Sequence, residues 1–254
     1  ELAFAHEDPR GFLARFAKGA IFDEAQRWPA LFSYLQGMVD EDRTPGRFVL
    51  SGSQQFGLLA GITQSLAGRV GMTRLMPLSL AEIPEERVGS LDEMLLRGCY
   101  PALYSGSVDP GDWLGSYVAT YVERDVRQVL EVRALMVFQR FLRLCAARTG
   151  QLLNLNALAG EAGISQSTAR AWMSVLESSD IVYMLPPYHR NFGKRLVKTP
   201  KLYFLDVGLA CWLLGIRSSD VLSVHPFADG GNQVGANGDH RLRPCRPKND
   251  PVCA

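Results

Sequence analysis

Two short apolar stretches near the start of the chain each end abruptly in polar residues. Residues 19–22 lead into Asp23 and Glu24, and residues 47–50 lead into Ser51. Such stretches predict short buried strands. The segment between them carries apolar residues at helical spacing, namely Leu31, Leu35, Met38 and Val39. A strand, a helix and a second strand in this order form a unit that makes a parallel sheet.

The rest of the chain has mainly helical periodicity. Apolar residues recur at helical spacing in residues 91–97, 114–126 and 135–148, and residues 154–176 divide into two helices around a turn. Residues 1–18 have the composition of a polar connector with one short helical piece. The predicted fold class is therefore α/β followed by mainly α, with a partial parallel sheet first and a helical region after it.

Composition excludes several classes of protein. The 254 residues are 47% apolar and 21% charged with a formal net charge of +1, which argues against a protein that binds polyanions over its whole surface. Five cysteines form no Cys-x-x-Cys pair, so we expect a reduced, cytoplasmic chain. There is no signal-peptide pattern, and the longest apolar stretch, residues 202–216, is too short to cross a bilayer, so we expect no membrane partner. The chain does not begin with methionine, and we expect it to be a piece of a larger gene product.

The polar residues that follow the two predicted strands are candidates for catalysis. Parallel strands end at the same edge of a sheet, so Asp23, Glu24 and Ser51 are expected to converge there. Carboxylates at such an edge can hold a metal ion or orient a water, and a hydroxyl beside them can contact a phosphate. The alternative is a solvated Asp-Glu turn next to an ordinary strand-to-loop turn.

Four blocks of sequence together resemble a known family. Residues 21–29 (IFDEAQRWP), 50–53 (LSGS), 65–70 (SLAGRV) and 77–82 (PLSLAE) are similar to prokaryotic AAA-type ATPases that carry a C-terminal domain of unknown function. In that family the first block is the Walker B strand and the second resembles a sensor-1 position. The resemblance implies a P-loop NTPase fold with ATP and Mg²⁺ as cofactors.

The resemblance also implies roles for individual residues. Asp23 would be the carboxylate on the Mg²⁺ side, Glu24 would orient the attacking water, and Ser51 would lie near the terminal phosphate. Arg69 is a further catalytic candidate, because a guanidinium can neutralise charge on a transferring phosphoryl group. The alternative for Arg69 is a structural ion pair with a carboxylate such as Glu82.

One motif of the family is missing from this sequence. The phosphate-binding loop Gly-x-x-x-x-Gly-Lys-Ser/Thr occurs nowhere in the 254 residues. That loop supplies backbone amides and a lysine to the triphosphate, and a hydroxyl to the metal. We therefore expect this chain to bind ATP weakly, and to be an ATPase by resemblance that is impaired in hydrolysis.

Residues 154–176 have the spacing of a helix-turn-helix. Gly163 can form the tight turn, and Ser165 is a good cap for the helix that follows. The first turns of that second helix present the residues that would reach base edges in a DNA-binding protein, which are Gln166, Ser167, Thr168 and Arg170.

A basic loop follows this pair of helices. Residues 181–185 and 201–205 read as paired strands, and the loop between them carries four cations, Arg190, Lys194, Arg195 and Lys198. Helices followed by a basic hairpin are typical of a winged helix, whose loop cations contact phosphates without reading sequence. Winged helices also serve as packing or protein-binding modules, so DNA and another protein are both candidate partners.

We predict four parts along the chain: a partial AAA-type ATPase domain at 1–84, a helical connector at 85–150, a winged-helix-like region at 151–216, and a disordered or aberrant tail at 217–254. The first hypothesis is an AAA-type ATPase that lacks its phosphate-binding loop. The second is a winged-helix module that binds DNA or a partner and keeps a non-hydrolysing ATPase remnant.

Overall fold

The computed structural model describes residues 2–16, 18–52, 58, 61–122, 135–188 and 199–225. Two short helices, α1 (Leu2–Glu7) and α2 (Pro9–Ala14), occupy the segment that we predicted as a polar connector. Asp8 caps α2 by accepting a hydrogen bond from the backbone N–H of Gly11 at 2.9 Å. Ala5, Phe12 and Leu13 are buried in the first core, so this segment is part of the folded unit.

The predicted strand-helix-strand unit is confirmed. Strand β1 (Ala20–Phe22) and strand β2 (Phe48–Leu50) pair in parallel, with Ile21 opposite Val49, and helix α3 (Ala30–Glu41) connects them. The sheet contains two strands within the described residues. Their C-terminal ends lie at the same edge, which is the geometry that the candidate residues require.

One face of this sheet packs on α3. Phe22, Phe48 and Leu50 contact a core that includes Leu31, Phe32 and Leu35 of the helix. The period of two along a strand places Ile21 and Val49 on the opposite face, where they are 74% and 49% exposed, so the prediction of buried strands is wrong for this face. The first unit therefore has a single core, built between the sheet and α3.

Short helices lead into the second unit. A π-helical turn (Ile62–Leu66) precedes an extended segment and then α4 (Leu91–Arg97), whose bounds match the predicted helix. Ser90 and Glu93 form a capping box at its start. Helices α5 (Ala102–Ser105) and α6 (Pro110–Tyr117) follow, and a π-helical turn (Val118–Val122) continues α6. Residue 126 of the helix predicted there lies outside the described residues.

Three longer helices build the second core. They are α7 (Leu135–Ala146), α8 (Leu155–Ala162) and α9 (Gln166–Ser178). Trp172 of α9 is 2% exposed and makes edge-to-face contacts with Phe138 and Phe141 of α7. Removing an aromatic side chain of this size from a core costs about 3–5 kcal/mol, so Trp172 is a principal stabilising residue of this unit.

An antiparallel hairpin and two helices complete the described chain. Strand β3 (Val182–Leu185) pairs with β4 (Lys201–Phe204), which confirms the predicted strand pairing. Helices α10 (Val207–Leu213) and α11 (Ser219–Val224) follow, and Leu222 of α11 is buried against Cys211 and Ile216. Ordered structure thus extends into the range that we predicted as a disordered tail. Residues 226–254 lie outside the described residues.

Candidate functional site

The turn after β1 is held by the backbone of Ser51. The N–H of Ser51 donates to the carbonyl of Phe22 at 3.0 Å, and the carbonyl of Ser51 accepts from the N–H of Ala25 at 3.0 Å. These bonds extend the strand pairing by one residue and enclose Asp23 and Glu24 between them. Because both neighbours of the acidic pair are fixed by backbone bonds, the position of the two carboxylates follows from the sheet itself.

Asp23 and Ser51 are in direct contact. The Oγ of Ser51 donates a hydrogen bond to Oδ1 of Asp23 at 2.5 Å, across 28 residues of sequence. Asp23 is exposed, so its carboxylate is accessible from solvent. The predicted convergence of these two residues is therefore present.

Glu24 adopts an unusual backbone conformation. Its φ of 52° lies in the left-handed region, where a residue with a side chain costs of order 1–2 kcal/mol. Its side-chain oxygen Oε2 accepts a hydrogen bond from Nε2 of Gln26. The chain thus holds Glu24 in a strained turn with a defined side-chain direction, a feature that clusters at functional sites.

Gln26 and Gly52 support this turn, and sequence reasoning assigned neither of them a role in the site. A Cβ at Gly52 would lie 2.2 Å from Oε1 of Gln26, so only glycine allows the amide to sit there undisturbed. Within the described residues, Oε1 of Gln26 is buried and accepts no hydrogen bond. A buried acceptor without a hydrogen bond lowers the free energy of unfolding. The same amide donates to Glu24 through its Nε2, so the bond to Glu24 is made at a cost in stability. The only signal in the sequence is the position of Gln26 two residues after Glu24.

Arg69 is placed away from these residues. Its guanidinium forms a two-point ion pair with Asp40, Nε to Oδ1 at 2.7 Å and Nη2 to Oδ2 at 3.0 Å. The hydrogen bond from Arg69 holds the pKa of Asp40 below its ordinary value. Asp40 lies near the C-terminal end of α3, whereas Asp23 lies beyond the C-terminal end of β1. Helix α3 runs antiparallel to the two strands. Arg69 and Asp23 therefore lie at opposite ends of the sheet.

The alternative that we gave for Arg69 was a structural ion pair, with Glu82 as an example of its partner. Glu82 instead accepts hydrogen bonds from the N–H and the Oγ of Ser79, both at 2.8 Å, and these bonds lower its pKa. Arg69 does pair with a carboxylate, and that carboxylate belongs to Asp40. The structure brings Asp23, Glu24 and Ser51 together and leaves Arg69 outside this group.

The second candidate site lies at the start of α9. Gly163 ends α8 in the left-handed conformation with φ 77°, and Ser165 caps α9 by accepting from the N–H of Thr168 at 3.1 Å. The hydroxyls of Ser167 and Thr168 are each 2.8 Å from Oγ of Ser165, so both are engaged in the cap. Gln166 and Arg170 are exposed on the first turns of the helix.

The basic loop that would accompany this helix falls in residues 189–198. The four predicted phosphate-contacting cations therefore lie outside the described residues; they are Arg190, Lys194, Arg195 and Lys198. The two strands that flank the loop are paired as predicted. Nearby, Arg148 pairs with Glu161 of α8 at 2.5 Å, which lowers the pKa of Glu161.

The described residues contain neither a cluster of metal-ligating side chains nor a membrane-spanning helix. In the part of the chain that the structure describes, no three histidine, cysteine or acidic side chains group together as a metal site would need. A Mg²⁺ ion bound with a nucleotide does not require such a group, because it takes only one or two protein oxygens. None of the described helices has the length and apolar character needed to span a membrane.

Comparison with known proteins matches both halves of the chain. Residues 1–84 match the family model of an AAA domain, and residues 88–220 match that of a domain of unknown function, DUF8612. Two uncharacterized proteins, one from Mycobacterium bovis and one from Mycobacterium tuberculosis, are each 33% identical over 221 residues. That alignment covers 86% of this chain and 49% of each relative, so the chain spans about half the length of the curated relatives it matches. No solved structure matches.

The second match covers more than half of the chain, and the chain belongs to the DUF8612 family. An AAA-like region precedes that domain. The predicted order of an AAA-type region followed by a domain of unknown function is thereby confirmed.

Proposed function

We propose that this member of the DUF8612 family carries the metal-side and water-side residues of an AAA-type ATPase site at the C-terminal edge of its parallel sheet. The observation that carries the proposal is the hydrogen bond from Ser51 to Asp23, made where two parallel strands end together. Glu24 follows Asp23 directly and is held in a strained turn. The match of residues 1–84 to an AAA domain supports ATP and Mg²⁺ as the ligands.

The residues present supply one of the two protein oxygens that Mg²⁺ bound with ATP normally uses. Asp23 offers an exposed carboxylate to the metal, and its Oδ1 is oriented by the hydroxyl of Ser51. When bound, Mg²⁺ neutralises charge on the transferring phosphoryl group. The phosphate-binding loop, which normally supplies the second protein oxygen, does not occur as a motif in the 254 residues.

The proposed roles follow from these positions. Asp23 holds the metal side of the site, Ser51 orients Asp23 and lies near the terminal phosphate, and Glu24 positions the attacking water. Gln26 fixes the direction of the Glu24 carboxylate. Arg69 stands outside this group, and its role as an arginine finger stays a prediction.

Calorimetric titration of Mg·ATP into the 254-residue chain tests the proposal. We expect weak binding that Asp23→Asn removes and that Glu86→Gln, a change at an exposed carboxylate of a surface turn, leaves intact. A chain extended by the preceding codons of its gene, where these encode Gly-x-x-x-x-Gly-Lys-Ser/Thr, should bind more tightly and hydrolyse ATP. Binding that is equally strong in Asp23→Asn would rule out the proposed metal-side role.

A second candidate function is a winged helix that contacts DNA or a partner protein. The observation that favours it is the helix-turn-helix geometry at Gly163 and Ser165, followed directly by the β3–β4 hairpin. Exposed Gln166 and Arg170 stand at the start of α9, where a recognition helix reads bases. Arg190, Lys194, Arg195 and Lys198 of the hairpin loop would contact phosphates.

A gel-shift titration over a salt series tests this second function. DNA binding through the loop cations should weaken as salt rises, and each cation removed should lower the salt slope by about 0.9. Arg10→Ala, at an exposed arginine of α2, is the matched control for Lys194→Ala. Affinity that does not depend on salt would contradict the phosphate contacts, and partner binding would then be the remaining form of the hypothesis.

A further inference from the structure

A cavity beside Trp212 has no role in either proposed function. It has a volume of about 400 Å³ and lies between α4, α6 and α10. Its walls include Arg97, Arg217 and Trp212, together with Leu96, Leu114 and Ile216. We call it the Trp212 cavity. It combines an apolar floor with two cationic side chains, which is the composition of a small-ligand site.

The two arginines of the Trp212 cavity are held by aromatic rings. The guanidinium carbon of Arg217 lies 4.6 Å from the centroid of the Trp212 ring, and its Nη1 donates to the Trp212 carbonyl at 2.5 Å. The guanidinium of Arg97 lies 5.6 Å from the ring centroid of Tyr104. Among the described residues, neither arginine has a carboxylate within ion-pair distance.

Two acidic residues also line the Trp212 cavity, and both are engaged elsewhere. Glu93 accepts from the N–H of Ser90 at 2.8 Å as part of the capping box of α4. Asp109 caps α6 by accepting from the N–H of Asp112 at 2.9 Å. Capping bonds of this kind stabilise helices and hold these carboxylates at the helix starts, and neither carboxylate lies within ion-pair distance of Arg97 or Arg217 in the described residues.

Arg217 has a second cation close to it, Arg143. Partial burial and, less strongly, the nearby charge of Arg143 lower the pKa of Arg217, while Cys211 acts in the opposite direction. Arg143 lines a smaller cavity on another side of Trp212. Arg217 and Arg143 thus both lie beside Trp212, and an anion bound at Arg217 would relieve the repulsion between them.

We propose that the Trp212 cavity binds a small oxyanion, a phosphate or a carboxylate group, between the guanidinium groups of Arg97 and Arg217. Guanidinium groups present forked N–H donors that match two oxygens of such an anion. The cation–π contacts with Trp212 and Tyr104 restrict both guanidinium groups before the anion arrives, which reduces the entropy lost on binding. The apolar walls would receive a short carbon substituent of the anion.

Thermal unfolding of the full 254-residue chain tests the proposal. Sodium phosphate is titrated at constant ionic strength, with sodium chloride making up the difference, and sodium acetate is titrated in the same way as a second arm. We expect Tm to rise and saturate with at least one of these anions, because a ligand that binds the folded state raises its stability. The arm that saturates at lower concentration identifies the preferred group.

Two variants and one control assign the effect to the Trp212 cavity. Arg217→Gln and Arg97→Gln should each weaken anion binding by about tenfold or more, since each removes a charged hydrogen-bond donor. Arg97 donates no hydrogen bond to the described backbone, so its variant is expected to fold normally. Arg10→Gln, at an exposed arginine of α2, should retain the wild-type response. The proposal is overturned if neither anion gives a saturable rise, or if both cavity variants respond as the wild-type chain does.

Discussion

The Oγ of Ser51 and the Oδ1 of Asp23 are 2.5 Å apart, in a hydrogen bond that joins the ends of two parallel strands. The bond orients an exposed carboxylate beside a glutamate in a left-handed turn. The polar residues at the ends of β1 and β2 therefore form a single site.

The Ser51–Asp23 bond should be measurable as a coupling between the two side chains. We expect a double-mutant cycle with Ser51→Ala and Asp23→Ala to give a coupling of about 0.5–1.5 kcal/mol in the free energy of unfolding, the usual contribution of one hydrogen bond. Urea unfolding of the four proteins measures it. Strictly additive effects would mean that the two side chains act independently in solution.

Gly208 should be intolerant of any side chain. A Cβ at this position of α10 would lie 2.5 Å from the backbone nitrogen of Gly98, and backbone cannot move aside as a flexible side chain can. We expect Gly208→Ala to lower the free energy of unfolding by about 1–3 kcal/mol or more. Gly160→Ala in α8 is the matched control, because nothing lies within 4 Å of its added Cβ, and it should stabilise by about 0.5–1 kcal/mol. Equal effects at both glycines would contradict the close approach of α10 to Gly98.

Asp206 should make stability depend on pH. It is 1% exposed and accepts from the N–H of Cys99 at 2.6 Å and of Leu209 at 2.7 Å. Burial raises its pKa above the ordinary 3.8, although these backbone bonds oppose the shift. The folded chain therefore keeps a proton that the unfolded chain has lost, so this carboxyl lowers the free energy of unfolding as pH rises through the window above 3.8.

Comparison with Asp206→Asn isolates that effect, because the amide does not titrate. The stability of the wild-type chain relative to the variant should decrease as pH rises from about 4, measured by urea unfolding at a series of pH values. Asp109→Asn, at the exposed cap of α6, is a control for the exchange itself, since asparagine caps helices as well as aspartate does. A difference that stays constant or grows with pH would show that the pKa of Asp206 is not raised.

The buried thiols should resist alkylation in the folded chain. Burial raises the pKa of Cys211 to about 11 and that of Cys145 still further, so very little thiolate is present near neutral pH. We expect iodoacetamide at pH 8 to leave both residues unmodified until urea unfolds the chain, as read by peptide mass spectrometry. Half-buried Cys99 serves as the internal comparison. Rapid native labelling of Cys145 would contradict its burial in the second core.

Short-range chemistry explains why much of the fold was predictable. The cap at Ser165 acts within one helical turn, and the apolar residues of β1 and of β2 each lie within three positions, so the sequence around each element contains its signal. The parallel pairing of β1 and β2 was predictable because a single helix, α3, connects them. The segment 2–14 was misjudged because Pro9 and Gly11 interrupt it, although Ala5, Phe12 and Leu13 enter the core.

Contacts between residues that are far apart in the sequence could not be predicted from local patterns. Asp206 reaches Cys99 across 107 positions, and Arg69 pairs with Asp40, 29 positions away, and not with the nearby Glu82. Sequence by itself determined where the paired strands and the longer helices form and which strand ends carry acids and hydroxyls, because local bonding and periodicity decide those features. Only the tertiary structure decided which carboxylate each arginine meets and which acid is buried, because those outcomes depend on how the packed elements exclude water and bring separate turns together.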